Sequence, residues 1–212
     1  KDVKTGFSGS LPTYLTNVNG TLYFTATDSA NGVELWKSDG TDGGTVLVKD
    51  IKTGFSGSFP SYLTNVNGAL YFSANDGIYG QELWKSDGTL EGTVLVKNII
   101  AGSSGSSLYS LTNVNSVLYF SANDSVNGFE LWKSDGTAAV TVLVKDIYGD
   151  SIGSAPVGLI NVDGILYFSA NDGINGSELW KSDGTDGGTM LIKDIRTGSL
   201  GSFPYSLISV NG

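Results

Sequence analysis

Apolar and polar residues alternate with a period of two in short runs, and the runs are separated by breaks rich in Gly, Asn, Asp and Ser. In the run from 21 to 27, Leu22, Phe24 and Ala26 hold one phase while Tyr23 and Thr25 hold the other. Leu35 alternates with Trp36, and Val46 and Val48 alternate with Leu47. Side chains on a strand point to opposite faces in turn. Large apolar groups in both phases therefore predict strands covered on both faces, not a sheet with one side in water. The period of two also argues against helices.

The breaks order these strands. Asn67-Gly68 joins SYLTNV to ALYFSAND, and an Asn-Gly pair between two such runs predicts a tight hairpin, because the turn needs left-handed backbone at both positions. Asn19-Gly20 and Asn211-Gly212 repeat the signal, and Asn115-Ser116 and Asp163-Gly164 keep turn-compatible residues. After a polar loop, QELWKS leads through DGTLEG to TVLVKNI, a second hairpin with a longer turn. Each unit thus reads as four strands, A to D, in a meander.

The units recur without insertion or deletion. Trp36, Trp84, Trp132 and Trp180 are the four tryptophans, and neighbours in that series stand 48 residues apart. A fixed period of this length marks a repeat architecture. The expected fold is all-β, a β-propeller built of four-stranded antiparallel blades, with four complete blades plus a partial one. The expected repeats cover 13–60, 61–108, 109–156 and 157–204 within one repeat domain, with a partial repeat or linker at 1–12 and an extra first strand at 205–212. The last twenty residues of the 212 are in phase with the first twenty, so a window cut from a longer array is expected, or a piece completed by a neighbouring chain.

Composition narrows the chemistry. Histidine and cysteine are both zero, so disulfides, zinc-thiolate sites and His-based nucleophile pairs are not expected. The net charge is −9, which offers no basic face for nucleic acid. No apolar run is long enough to span a bilayer, and membrane insertion is not expected. The candidate carboxylates mostly recur from unit to unit, whereas a propeller active site breaks symmetry, and the chain is expected not to be an enzyme.

The motif ELWKSDGT occurs four times, at 34–41, 82–89, 130–137 and 178–185, each followed by T-(V/M)-L-(V/I)-K-(D/N)-I. It resembles the bacterial ELWxxDGT repeat family, also termed hyalin-like, over essentially the whole chain. The resemblance implies an extracellular or cell-surface propeller-like repeat and no particular reaction. The Ser38-Asp39-Gly40-Thr41 turn is also similar to the Asp-box hairpin of sialidase-type propellers, but its Ser and Asp are adjacent and the Trp precedes the turn.

Four groups of residues are candidates for function. Phe7, Phe55, Phe59, Tyr62 and Phe203 lie in or beside the linkers between units, where aromatic rings can line shallow pockets for a sugar. Asp28, Asn31 and Glu34 carry oxygen ligands in the B–C loop, with Asp124, Asn127 and Glu130 and with Asp172, Asn175 and Glu178 in phase, and could wrap a Ca²⁺. Apart from that alternative no cofactor is expected; the competing reading is an Asx-rich turn with Glu34 paired to Lys37 or Lys49. Asp39, Asp87, Asp135 and Asp183 are read as turn-capping residues. The four tryptophans are read as blade core ahead of sugar platforms, and Lys37 and Lys49 as solvated lysines at strand edges. Together these predict an adhesin- or lectin-like multivalent module for a glycan or cell-surface polymer. The alternative is an assembly scaffold, partnered by self-association or by further repeats of the same chain.

Overall fold

The computed structural model describes residues 1–4 and 8–210; Phe7, Asn211 and Gly212 lie outside the described residues. Sixteen strands form four antiparallel four-stranded sheets, and no helix occurs among the described residues. The first sheet holds β1 (Thr13–Val18), β2 (Thr21–Asp28), β3 (Gly32–Ser38) and β4 (Val46–Lys49). The second holds β5 (Ser61–Val66), β6 (Ala69–Asn75), β7 (Gln81–Ser86) and β8 (Val94–Lys97). The third holds β9 (Tyr109–Val114), β10 (Val117–Asn123), β11 (Phe129–Ser134) and β12 (Val142–Lys145). The fourth holds β13 (Val157–Val162), β14 (Ile165–Asn171), β15 (Ser177–Ser182) and β16 (Met190–Lys193). In every sheet the strands are neighbours in chain order, which is the expected meander.

Local chemistry explains the hairpins. Asn19 and Gly20 both sit in the left-handed region, at φ 51° and 85°, and Asn17 Oδ1 accepts a hydrogen bond from the Gly20 amide at 2.9 Å. The β1–β2 ladder carries a bulge, since Thr13 pairs with Thr25 but Thr16 pairs with Tyr23. Tyr14 sits in it at φ 53°, and the residues in phase, Tyr62, Ser110 and Gly158, share the left-handed backbone. A second bulge makes Val48 the extra residue between the pairs Trp36–Leu47 and Leu35–Lys49.

The expected extra first strand over 205–212 does not form at 205–210, where the backbone makes no ladder. Strand A of each sheet bonds only to the B strand of its own unit, and residues 205–210 have no B strand to bond.

The chain divides into two compact units, Lys1–Ser107 and Leu108–Gly212, each holding two sheets. Within the first sheet Phe24 lies opposite Trp36 and Ala26 opposite Glu34, so these share one face, here the front. Tyr23, Leu35 and Lys37 share the other, the rear. In the first unit Val18, Tyr23, Leu35 and Val48 of the first sheet, with Ile51, pack against Leu63, Leu70, Phe72, Ala74 and Trp84 of the second. The rear of one sheet thus meets the front of the next. In the second unit Val114, Tyr119, Leu131 and Val144, with Ile147, pack in the same way against Leu166, Phe168, Ala170 and Trp180. Each fully buried Leu or Phe stabilises such a seam by roughly 1.5–3 kcal/mol.

The recurring lysines close these seams. Lys37 Nζ donates to the Gly88 carbonyl at 2.8 Å and Lys49 Nζ to the Thr93 carbonyl at 2.7 Å, both on the neighbouring sheet. In the second unit Lys133 Nζ donates to the Gly184 carbonyl at 2.8 Å, and Lys145 pairs with Asp186. This corrects the reading of Lys37 and Lys49 as solvated edge lysines. Their heads reach the turn of the adjacent sheet.

Candidate functional site

The glutamate of the ELW motif organises each linker. Glu34 is fully buried, on the front face with Trp36. Its oxygens accept from the amides of Ile51, Lys52 and Ser58 and from the Ser58 hydroxyl. Glu82, Glu130 and Glu178 are equally buried and collect the same donors, from Ile99, Ile100 and Ser106, from Tyr148 and Ser154, and from Ile195, Arg196 and Ser202. Burial pushes the Glu34 carboxyl up to about 7 against the downward pull of these donors, and Glu82 and Glu130 are raised for the same reason. At Glu178 the upward push of burial is outweighed by the hydrogen bonds, and its carboxyl is lowered.

This geometry separates the residues read as calcium ligands. Asp28 Oδ1 accepts from the amides of Ala30 and Asn31, and its Oδ2 accepts from Asn31 Nδ2 at 2.7 Å. Asp124 with Asn127 and Asp172 with Asn175 repeat the arrangement. The aspartate and asparagine are thus brought together, but as a loop that satisfies itself. Glu34, Glu130 and Glu178 spend their oxygens on the linker. Among the described residues no group of three His, Cys, Asp or Glu side chains is placed to hold a metal ion. The alternative pairing of Glu34 with Lys37 or Lys49 is also corrected, because Glu34 is on the front face and both lysines are on the rear.

Asp39 Oδ1 accepts from the amide and hydroxyl of Thr41, and Asp87, Asp135 and Asp183 do the same with Thr89, Thr137 and Thr185. The carboxyls of Asp39, Asp87 and Asp183 are lowered, first by the threonine hydroxyl. The four tryptophans are buried, each 6–7 % exposed, so their faces lie in the core and not at a surface where a sugar could stack.

The exposed aromatic residues are elsewhere. Phe55, Phe59, Tyr62 and Phe203 are all exposed; Phe7 lies outside the described residues. In the first unit the structure brings one further ring to this group. Tyr14, 47 % exposed, stands beside Tyr62, 40 % exposed, with ring centroids 6.1 Å apart and planes at 49°. Each is the left-handed residue of its strand-A bulge. The spacing is set by cross-links between β1 and β5: Thr16 Oγ1 donates to the Leu63 carbonyl and Asn65 Nδ2 to the Asn17 carbonyl, both at 3.1 Å. The in-phase residues of the second unit, Ser110 and Gly158, carry no ring. Tyr14 was not among the residues singled out from sequence, although its phase with Tyr62 was the available signal.

No family model and no curated protein matches this chain. Solved structures are similar to it at low identity, among them the following three. Puromycin hydrolase, as an S511A mutant complexed with PGG, is 13 % identical, with a TM-score of 0.58 over 90 % of this chain and 32 % of that one. A structure from a study of two prolyl endopeptidases is 14 % identical, with a TM-score of 0.53 over 81 % of this chain and 24 % of that one. The computationally designed Ika8 protein is 16 % identical, with a TM-score of 0.47 over 93 % of this chain and 54 % of that one. The chain therefore spans about a third, a quarter and a half of the lengths of these proteins, in that order. The expectation that the chain is not an enzyme is corrected by the hydrolase and the endopeptidase. A fold of this kind forms part of chains with those names, so repeated four-stranded sheets do not mark a protein as non-catalytic.

Proposed function

We propose that this chain is an extracellular or cell-surface binding module of the ELWxxDGT type, its sheets acting as β-propeller blades, and that Tyr14 and Tyr62 form its platform for a glycan or cell-surface polymer. The observation that carries the reading is the tyrosine pair itself. Left-handed backbone at a bulky residue costs on the order of 1–3 kcal/mol and persists where the surroundings enforce it. The fourth repeat places glycine at the same bulge, the residue that adopts this backbone without cost. Two repeats instead hold tyrosines there, turned out to solvent and locked at one spacing. Such rings lose little conformational entropy on binding, offer an apolar face to the C–H groups of a pyranose, and carry a hydroxyl at the rim.

The test is a glycan array followed by titration calorimetry on the best binder, with the wild type and with Tyr14→Ala and Tyr62→Ala. The reading expects saturable binding that each substitution weakens at least tenfold. It also expects equal affinity with Ca²⁺ and with chelator, because the Asp28 carboxylate is already taken by its own loop. Absence of any glycan ligand, or unchanged affinity in both variants, would remove the proposal.

A further inference from the structure

The first unit holds a cavity that the tyrosine platform does not use. Where its two sheets meet, beside the β3–β4 and β7–β8 turns, a space of 380 Å³ is lined by Thr21, Tyr23, Lys37, Asp39, Val46 and Asp87, with Gly43 and Gly44. Asp39 comes from the turn of the first sheet and Asp87 from that of the second. Each spends its Oδ1 on the threonine two residues on, and neither Oδ2 has a hydrogen-bond partner among the described residues. Lys37 Nζ donates to the Gly88 carbonyl at 2.8 Å and makes no ion pair among the described residues. An ammonium carries three donors, so two remain.

Tyr23 sets this cavity apart from a chance cluster of turn carboxylates. The side chain is 5 % exposed, and its hydroxyl reaches the Asp87-Gly88 turn, 2.2 Å from where a Cβ on Gly88 would stand. That hydroxyl has no hydrogen-bond partner among the described residues, whereas a buried tyrosine O–H ordinarily finds one. Burial, and after it the Asp87 charge, hold the hydroxyl above its usual range, so it stays protonated and able to donate. The second unit sets out the same residues in phase. Tyr119 is 6 % exposed, its hydroxyl lies 2.1 Å from the place of a Cβ on Gly184, and it too lacks a hydrogen-bond partner among the described residues. Lys133 donates to the Gly184 carbonyl at 2.8 Å, and Asp135 and Asp183 stand where Asp39 and Asp87 stand.

The mixture of groups selects the ligand. An anion would meet two carboxylates, and a cation would meet the Lys37 ammonium. Among the described residues no three acidic side chains are placed for a metal ion. Acceptors at Asp39 and Asp87 beside donors at Lys37 and Tyr23 suit a neutral group that donates and accepts on neighbouring atoms, as two adjacent hydroxyls of a sugar do. Val46 adds an apolar wall for the C–H face of the same ring. We propose that this cavity, and its counterpart at Tyr119 and Lys133, is a saccharide site that takes one sugar ring by a pair of neighbouring hydroxyls. The Tyr23 hydroxyl and Lys37 donate to that pair, and the free oxygens of Asp39 and Asp87 accept from it. The site shares no residue with the Tyr14–Tyr62 platform and does not rest on it.

An amide-resolved NMR titration of the full chain tests this, with the methyl glycosides of glucose, galactose and mannose as probes and with methylammonium, phosphate and Ca²⁺ beside them. At least one glycoside is expected to shift the Gly43 and Gly44 amides saturably, and the three ions are not. Tyr23→Phe is expected to weaken that binding at least tenfold at the same amides. It keeps the ring in the core and removes only an O–H that has no partner, so its thermal midpoint should equal or exceed that of the wild type. Four results would overturn the proposal: no glycoside moves these amides, Tyr23→Phe binds as the wild type does, methylammonium binds as well as the best glycoside, or Tyr23→Phe lowers the midpoint, which would reveal an internal partner for the hydroxyl. The amides of Tyr14 and Tyr62 are read in the same spectra, so failure at one site is told from failure at the other.

Discussion

At the residue scale the buried glutamates set the pH response. Glu34, Glu82 and Glu130 are raised above the ordinary 4.5 by burial, Glu34 to about 7. A carboxyl whose folded pKa exceeds its unfolded one contributes stability that is full below the unfolded value and is lost as pH rises through the folded one. Asp39, Asp87 and Asp183 run the other way: lowered from 3.8, they contribute above that value and lose the contribution on further acidification. Urea unfolding between pH 3 and 8 should therefore show its highest midpoint at about pH 4–5 and a decline toward neutrality. A midpoint that climbs from pH 4 to 7 would contradict this. Glu82→Gln should lower stability at pH 5 by about 1–3 kcal/mol, because an amide presents one acceptor oxygen to donors that now share two. Its midpoint should also vary less with pH than the wild type's. The sequence held the clue to this residue: Glu34 is in phase with Trp36, a charged group in core register in all four repeats. Its partners were not legible, because they are backbone amides 17 to 24 residues further on.

At the element scale, strands and hairpins were legible because period-two alternation and Asn-Gly pairs are local signals, and the four meanders follow from them. The bulges and the path of the linker were not. They depend on close approach between segments far apart in the chain. Gly80 and Gly105 show how close: a Cβ on Gly105 would lie 2.3 Å from the Gln81 amide nitrogen, and one on Gly80 2.5 Å from the Gly105 nitrogen. Both are left-handed, at φ 75° and 70°. Gly54 is also left-handed, at φ 100°, but a Cβ there meets nothing within 4 Å. The comparison separates strain from collision. Gly54→Ala should cost about 1–2 kcal/mol, the left-handed penalty alone. Gly105→Ala adds a backbone collision and should cost more than about 3 kcal/mol. Equal losses by thermal unfolding would mean that the linker is free to move off the B–C loop. No strand forms at 205–210, for a strand needs a partner and an apolar run such as Leu207 and Ile208 cannot supply one.

At the scale of the whole molecule, repetition explains both what is constant and what is exposed. The same seam forms in each compact unit, from residues in phase, so the front of one sheet is complementary to the rear of the sheet before it. The sequence displayed this period in full, but the solvent exposure of Ile192, Ile195 and Leu15 is a property of the fold alone. Salt tests the chemistry of the tyrosine platform. Mobile ions screen charged contacts over about 10 Å at 0.1 M and over less at higher concentration, while apolar burial is left intact or strengthened. Raising NaCl from about 0.05 to 0.5 M should therefore leave glycan affinity at Tyr14 and Tyr62 within about twofold in titration calorimetry. A several-fold loss would mean that charged side chains hold the ligand and the two rings do not.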